Sequence, residues 1–135
     1  MNVLADLPEL GLVYQHTAAA TTRKYIREHP DRVRRYVKSQ VEAVHRIYTD
    51  KEASIRALAR FIGRNIERDV LEKTRENLLS ESLLPKKQYP SVEGLKSILA
   101  GEAKGKSAKP EDFLDASFIR ELDQSGYIDG LYKRR

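Results

Sequence analysis

The chain has no cysteine, no tryptophan, one methionine and three phenylalanines in 135 residues. The first absence excludes disulfides, thiolate metal sites and a cysteine nucleophile together. It fits a reducing or an oxidising compartment equally, so it says nothing of location. Without Trp, a core has to be assembled from Leu, Ile, Val and the seven Tyr. No apolar run approaches the roughly 20 residues that a bilayer demands, and no membrane span is expected.

Chemistry-bearing patterns are equally scarce. The three histidines, His16, His29 and His45, never stand four apart with a carboxylate, so the helical zinc pattern is missing. No serine occupies a G-x-S-x-G turn. Gly101 and Gly105 are too isolated to form a phosphate loop, and no strand precedes them. Glu111, Asp112 and Asp115 gather at a helix start, where capping accounts for them. The expectation is no catalytic residue, no metal ligand and no cofactor: a chain that is not an enzyme. MNVLADLPELG has an acidic flank and no apolar core of about 7–15 residues, so no export signal is read there.

What is present describes a globular protein. Hydrophobic residues make up 40% and charged residues 33%, proportions that support a folded domain. A formal charge of +5 and a pI near 9.5 favour acidic partners. However, 20 acidic residues are interspersed with 25 basic ones, as on an ordinary solvated surface. The first third is the most basic, with Arg23, Lys24, Arg27, Arg32, Arg34, Arg35 and Lys38. These spread around a helix instead of focusing on one face, and the corner after Thr49 lacks a helix-turn-helix glycine. Nucleic acid is therefore not the expected partner.

The stretch from His29 to Ile62 organises the rest. Val33, Tyr36, Val37, Val41, Val44, Ile47 and Tyr48 recur at steps of three and four, the spacing of one helical stripe. Pro30 suits the first turn and Asp31 complements the helix dipole. Thr49 and Glu52 read as a capping box for a second helix bearing Ile55, Leu58, Ala59 and Ile62. A third helix is expected from about Ile66 to Leu79. Ser91 is a good N-cap for a fourth, with Val92, Leu95, Ile98 and Leu99 inward. Gly101 to Lys109 reads as an exposed loop. Asp115 opens a short helix through Phe118, Ile119 and Leu122 that stops at Ser125-Gly126, and Tyr127 to Tyr132 forms a last turn. Arg23 to Glu28 is a helical turn.

Before these helices, Val13 to Thr22 mixes β-branched, aromatic and small residues and leans towards a strand. A solitary strand leaves backbone groups unsatisfied, so it needs a partner. The expected architecture is mainly α, with five or six helices plus one N-terminal strand. The chain reads as one domain over 1–135: a loop at 1–12, a hinge-like strand at 13–22 and a helical portion over 23–135.

Three blocks, ATTRKYIREHPDRVRRYVKSQVEAVHRIYTDKEASIRALARF, LLPKKQYPSVEGLKSIL and AKPEDFLDASFIRELDQSGYIDGLY, resemble in that order the C-terminal part of substrate-binding proteins of ABC importers, of the nitrate/sulfonate/taurine type. The resemblance runs from about Val3 to Lys133. It implies a C-terminal fragment of a type II periplasmic-binding-protein α/β fold, in which two lobes close on a small solute. It further implies a non-catalytic transport component, a periplasmic location, and an ABC permease as partner of the full-length protein. Two departures stand out: His29 replaces the family's usual Asn before Pro, and most of the two lobes is missing. The related pyrimidine-synthesising enzymes use a cysteine-rich motif that this chain cannot supply. Tyr14, His16 and Thr17, on the segment nearest the interlobe cleft, are the candidate ligand-binding residues. Apolar surface left by the missing sheet implies a homodimer or swapped assembly. The alternative is a standalone basic helical interaction module that binds nucleic acid or a protein partner.

Overall fold

A twenty-residue helix with an apolar stripe must find neighbours for it, and α2 (Pro30–Thr49) finds most of those the chain offers. A computed structural model describes residues 11, 13–15, 17–63, 65–79, 83–102, 105 and 107–133. Among them the order is α1 (Arg23–Glu28), α2, α3 (Lys51–Ile62), α4 (Arg68–Leu78), α5 (Val92–Gly101), a 3₁₀ turn (Pro110–Phe113), α6 (Ser117–Gln124) and α7 (Tyr127–Lys133). The described residues are thus mainly helical, as the periodicity predicts.

The core lies where α6 and α7 fold back onto α2. Val41, Ile119 and Ile128 are buried together, with Val37, Ala116, Leu122, Leu131 and Tyr132 packed around them. Ile128 and Val41 each retain 1% of their exposure, which is worth about 1.5–3 kcal/mol apiece. The α6–α7 corner is a glycine turn. Gly126 takes φ 73°, and its N–H bonds the carbonyl of Asp123 at 2.9 Å, closing the last turn of α6 at little steric cost. Polar ties reinforce the same seam: Arg34 reaches Glu121 at 3.1 Å, and the Tyr127 hydroxyl donates to Glu42.

A second layer is formed by α3 and α4, which pack on each other and, through α3, on α2. Its buried side chains are Ile55, Leu71, Ser54 and Arg75. Arg75 is an unexpected interior residue. Its guanidinium donates to the carbonyls of Ile47, at 2.8 and 3.1 Å, and of Tyr48, at 3.1 Å. These belong to the last turn of α2, whose carbonyls have no helical donor. A charged interior residue is thus satisfied by helix-end acceptors that needed one.

Several expectations change in detail. The strand expected at 13–22 does not form: residues 13–15 and 17–22 run irregularly, and the described residues contain no strand. A ladder needs a second strand to take its N–H and C=O groups, and none is available. The cap of α3 is Asp50, not Thr49. Asp50 accepts the Ala53 N–H at 2.8 Å, while the Thr49 hydroxyl turns back to the His45 carbonyl at 2.9 Å. Tyr36, Ile62 and Val92 lie on the predicted stripes but remain 39–49% exposed. Gly105, expected in an exposed loop, is buried against Leu99, with space for no larger side chain. The cap expected at Ser91 is present, accepting the Gly94 N–H at 2.9 Å, whereas the N-cap of α6 is Ala116, and Asp115, one residue earlier, accepts the Ser117 N–H at 2.9 Å across a tight turn.

The most exposed large apolar residues among those described are Phe61 (92%), Phe113 (61%), Tyr14 (59%) and Leu83 (56%).

Candidate functional site

Three features have the geometry to meet another molecule: an N-terminal arm, a hollow lined by lysine and tyrosine, and an apolar groove. The arm carries the candidate ligand residues. It is fastened by Gln15, whose side-chain oxygen accepts the Ser91 N–H at 2.7 Å and whose amide nitrogen donates to the Thr17 carbonyl at 2.7 Å. Gly94 on α5 allows the approach. A Cβ there would stand 2.5 Å from the Gln15 nitrogen and 2.9 Å from the Tyr14 carbonyl carbon, closer than real contacts permit. The Tyr14 side chain is 59% exposed and Thr17 is exposed. Neither lines the hollow or the groove. His16 lies outside the described residues.

The hollow, about 290 Å³, is lined by Lys86, Lys87, Ile128, Asp129, Tyr132 and Lys133. Its charges are largely answered from within. Lys87 Nζ stands 2.7 Å from Asp123 and 3.4 Å from Asp129, and the Tyr89 hydroxyl donates to Asp123 at 2.9 Å. The hydrogen bond from Lys87, then that from Tyr89, holds the Asp123 carboxyl below its usual range, and the same bond raises Lys87. Desolvation, then the bond to Asp123, raises Tyr89. Lys86 lies over the rings of Tyr48 and Tyr132 at 5.2 and 5.3 Å, within cation–π range. The His45 ring meets Tyr132 edge-on at 4.9 Å, and its Nε2 is buried with no hydrogen-bond partner among the described residues. Chemically this is a clasp that holds the connector before α5 onto α6 and α7.

The groove is different in kind. Ile47, Ser54, Ala57, Leu58, Phe61 and Leu78 enclose about 170 Å³ with almost no polar surface. Beside it runs an ion network: Lys51 to Glu72 at 2.8 Å, Arg68 to Glu72 at 2.8 Å, and Arg68 to Glu52. Its hydrogen bonds lower both carboxyls and raise Arg68. Among the described residues no group of three His, Cys, Asp or Glu is placed to hold a metal ion. No described helix is long and apolar enough to cross a membrane.

Compared with known proteins, the chain matches no family model, no curated protein and no solved structure.

Sequence reasoning missed three of these residues. Arg75 shares the inner face of α4 with Leu71, four residues earlier, and the signal was an arginine falling on an otherwise apolar stripe. Phe61 reads as one more apolar residue at the end of α3, and only the absence of a facing helix exposes it. Gln15 had no signal, because its partner Ser91 lies 76 positions away.

Proposed function

We propose that this chain is the C-terminal part of the solute-binding component of an ABC importer of the nitrate/sulfonate/taurine type, non-catalytic and working in the periplasm. In this reading the complete receptor takes a small solute between two lobes and delivers it to a membrane permease. The chain described here holds little or none of the ligand site. The observation that carries the reading is the state of the arm. Residues 13–15 and 17–22 are largely exposed, have no strand neighbour among the described residues, and are secured to α5 at Gln15. An arm of β-prone residues beside a helical layer with exposed apolar side chains suits a fold whose sheet is supplied by further chain. The same open apolar surface favours homo-association when these helices stand alone.

The genomic reading frame upstream of the Met1 codon provides the test. An α/β lobe should be encoded there, whether or not a stop codon interrupts it; upstream DNA that encodes no such lobe overturns the reading. A binding titration with an oligonucleotide supplies an independent check. Affinity falling steeply with salt would favour the basic interaction module, for which Arg27, Arg32 and Arg35 would be the contacts.

A further inference from the structure

We propose that α5, with the 3₁₀ turn and the arm fastened to it, forms a flap that opens from the α2 bundle as one unit, and that Asp123 on α6 is the latch that keeps it shut. The division is visible in the packing. Among the described residues α1, α3, α6 and α7 each pack on α2, and α4 reaches it through α3. Helix α5 packs chiefly on the 3₁₀ turn instead. It buries no apolar side chain completely: Leu95, Ile98 and Leu99 are half-buried, Val92 is exposed, and the buried residue of the helix is Gly94. Irregular backbone borders the unit on both sides, at residues 85–91 and 114–116. A segment with few buried apolar contacts opens at lower free energy than the core beside it.

The arm belongs to the flap. The Gln15 bond to the Ser91 N–H, and the lack of a Cβ at Gly94, seat residues 14 and 15 directly on α5. The connector before α5 ties this unit to the bundle through polar groups. At its root the Tyr48 hydroxyl donates to the Leu84 carbonyl at 2.8 Å. Farther along, Asp123 receives Lys87 at 2.7 Å and the Tyr89 hydroxyl at 2.9 Å, and its side chain is only 21% exposed. One carboxylate thus collects a cation and a hydroxyl from two positions of the connector, a stronger arrangement than a fully exposed ion pair. Asp129 on α7 stands farther from Lys87, at 3.4 Å, and is the weaker acceptor. At the far end of the flap the Arg23 guanidinium donates to the Asp112 carbonyl. Opening would carry Lys86 and Lys87 away from Ile128 and Tyr132, so the hollow they line together exists only while the latch is shut. The inference concerns helices present in this chain and is independent of the importer reading.

Hydrogen exchange of the full chain, followed by mass spectrometry, tests it. Amides of α5 should have protection factors lower than those of α2, α6 and α7 by roughly tenfold or more. Asp123→Asn keeps the size and gives up the charge. It should speed exchange in α5 by about a further tenfold while α3 and α4 stay as they were. Tyr89→Phe removes one of the two bonds and leaves Asp123 in place, so it should act in the same direction by about threefold, and it serves if the first variant does not fold. Added salt should speed α5 in the unsubstituted chain and have little effect once Asp123 is replaced. Amides of α5 that exchange together with those of α2 overturn the flap. Substitutions at Asp123 and Tyr89 that leave α5 unchanged, or that speed α2 and α5 equally, overturn the latch.

Discussion

The α2–α6–α7 seam and the α3–α4 layer are built from helices of the same amphipathic kind, yet one is closed and the other open. In the seam, Val41, Ile119 and Ile128 are buried between three helices and polar contacts sit at the rim. In the α3–α4 layer α3 packs on α2, and α4 packs on α3. Two apolar residues are buried, a buried arginine grips the end of α2, and an ion network joins the rims. The comparison teaches that an apolar stripe states a demand for a neighbour without guaranteeing one. Where apolar packing is incomplete, charge-assisted hydrogen bonds hold the helices instead.

The contrast can be broken most severely at its closed end. Ile128→Ala should cost about 2–5 kcal/mol, measured by urea denaturation, and should loosen α6 and α7 together. At the open end, Arg75→Ala should cost about 2 kcal/mol by removing charged hydrogen bonds to buried carbonyls. Arg75→Met, similar in bulk, should recover little, which would separate the hydrogen bonds from the packing.

Acid should act more on the charged layer than on the seam. In the charged layer Glu52, Glu72 and Asp50 titrate below their ordinary values, 4.5 for the glutamates and 3.8 for the aspartate, against Asp115 and Asp123 around the seam. The folded state therefore binds fewer protons than the unfolded one in that range. Their contribution is complete above about pH 5 and fades as pH falls through the depressed values. Melting temperatures recorded from pH 7 to pH 3 should be flat and then fall. Glu72→Gln should flatten the descent, and a descent unchanged by it would mean that the network does not couple to folding. The smallest effect is expected at Phe61→Ala. In the monomer it should change stability by less than about 0.5 kcal/mol, since the ring is 92% exposed. A larger loss at a concentration where the chain is monomeric would show that the open face is more closed than described.

Much of the helical layout was legible beforehand. Pro30, Ser91 and Ser125-Gly126 mark helix ends because capping is satisfied within three or four residues. The choice between Thr49 and Asp50 was not legible, since both can cap and the winner depends on which hydroxyl or carboxylate finds a second acceptor or donor. The strand at 13–22 failed for a related reason: β-propensity describes fitness for a sheet, and a sheet is a property of neighbours. Of the candidate ligand residues, Tyr14 and Thr17 lie exposed on an arm, and nothing in their own segment announced that Gln15 would fasten it.

Local rules were enough to establish that this chain would be helical, where most helices begin, and which chemistries it cannot perform for want of cysteine. Those properties depend on residues within one turn of one another. Which stripes are buried, that Arg75 is interior, and that Phe61 faces outward beside its own groove were settled only by the packed chain. Burial and long-range hydrogen bonding depend on what another segment brings, and no window of sequence contains that.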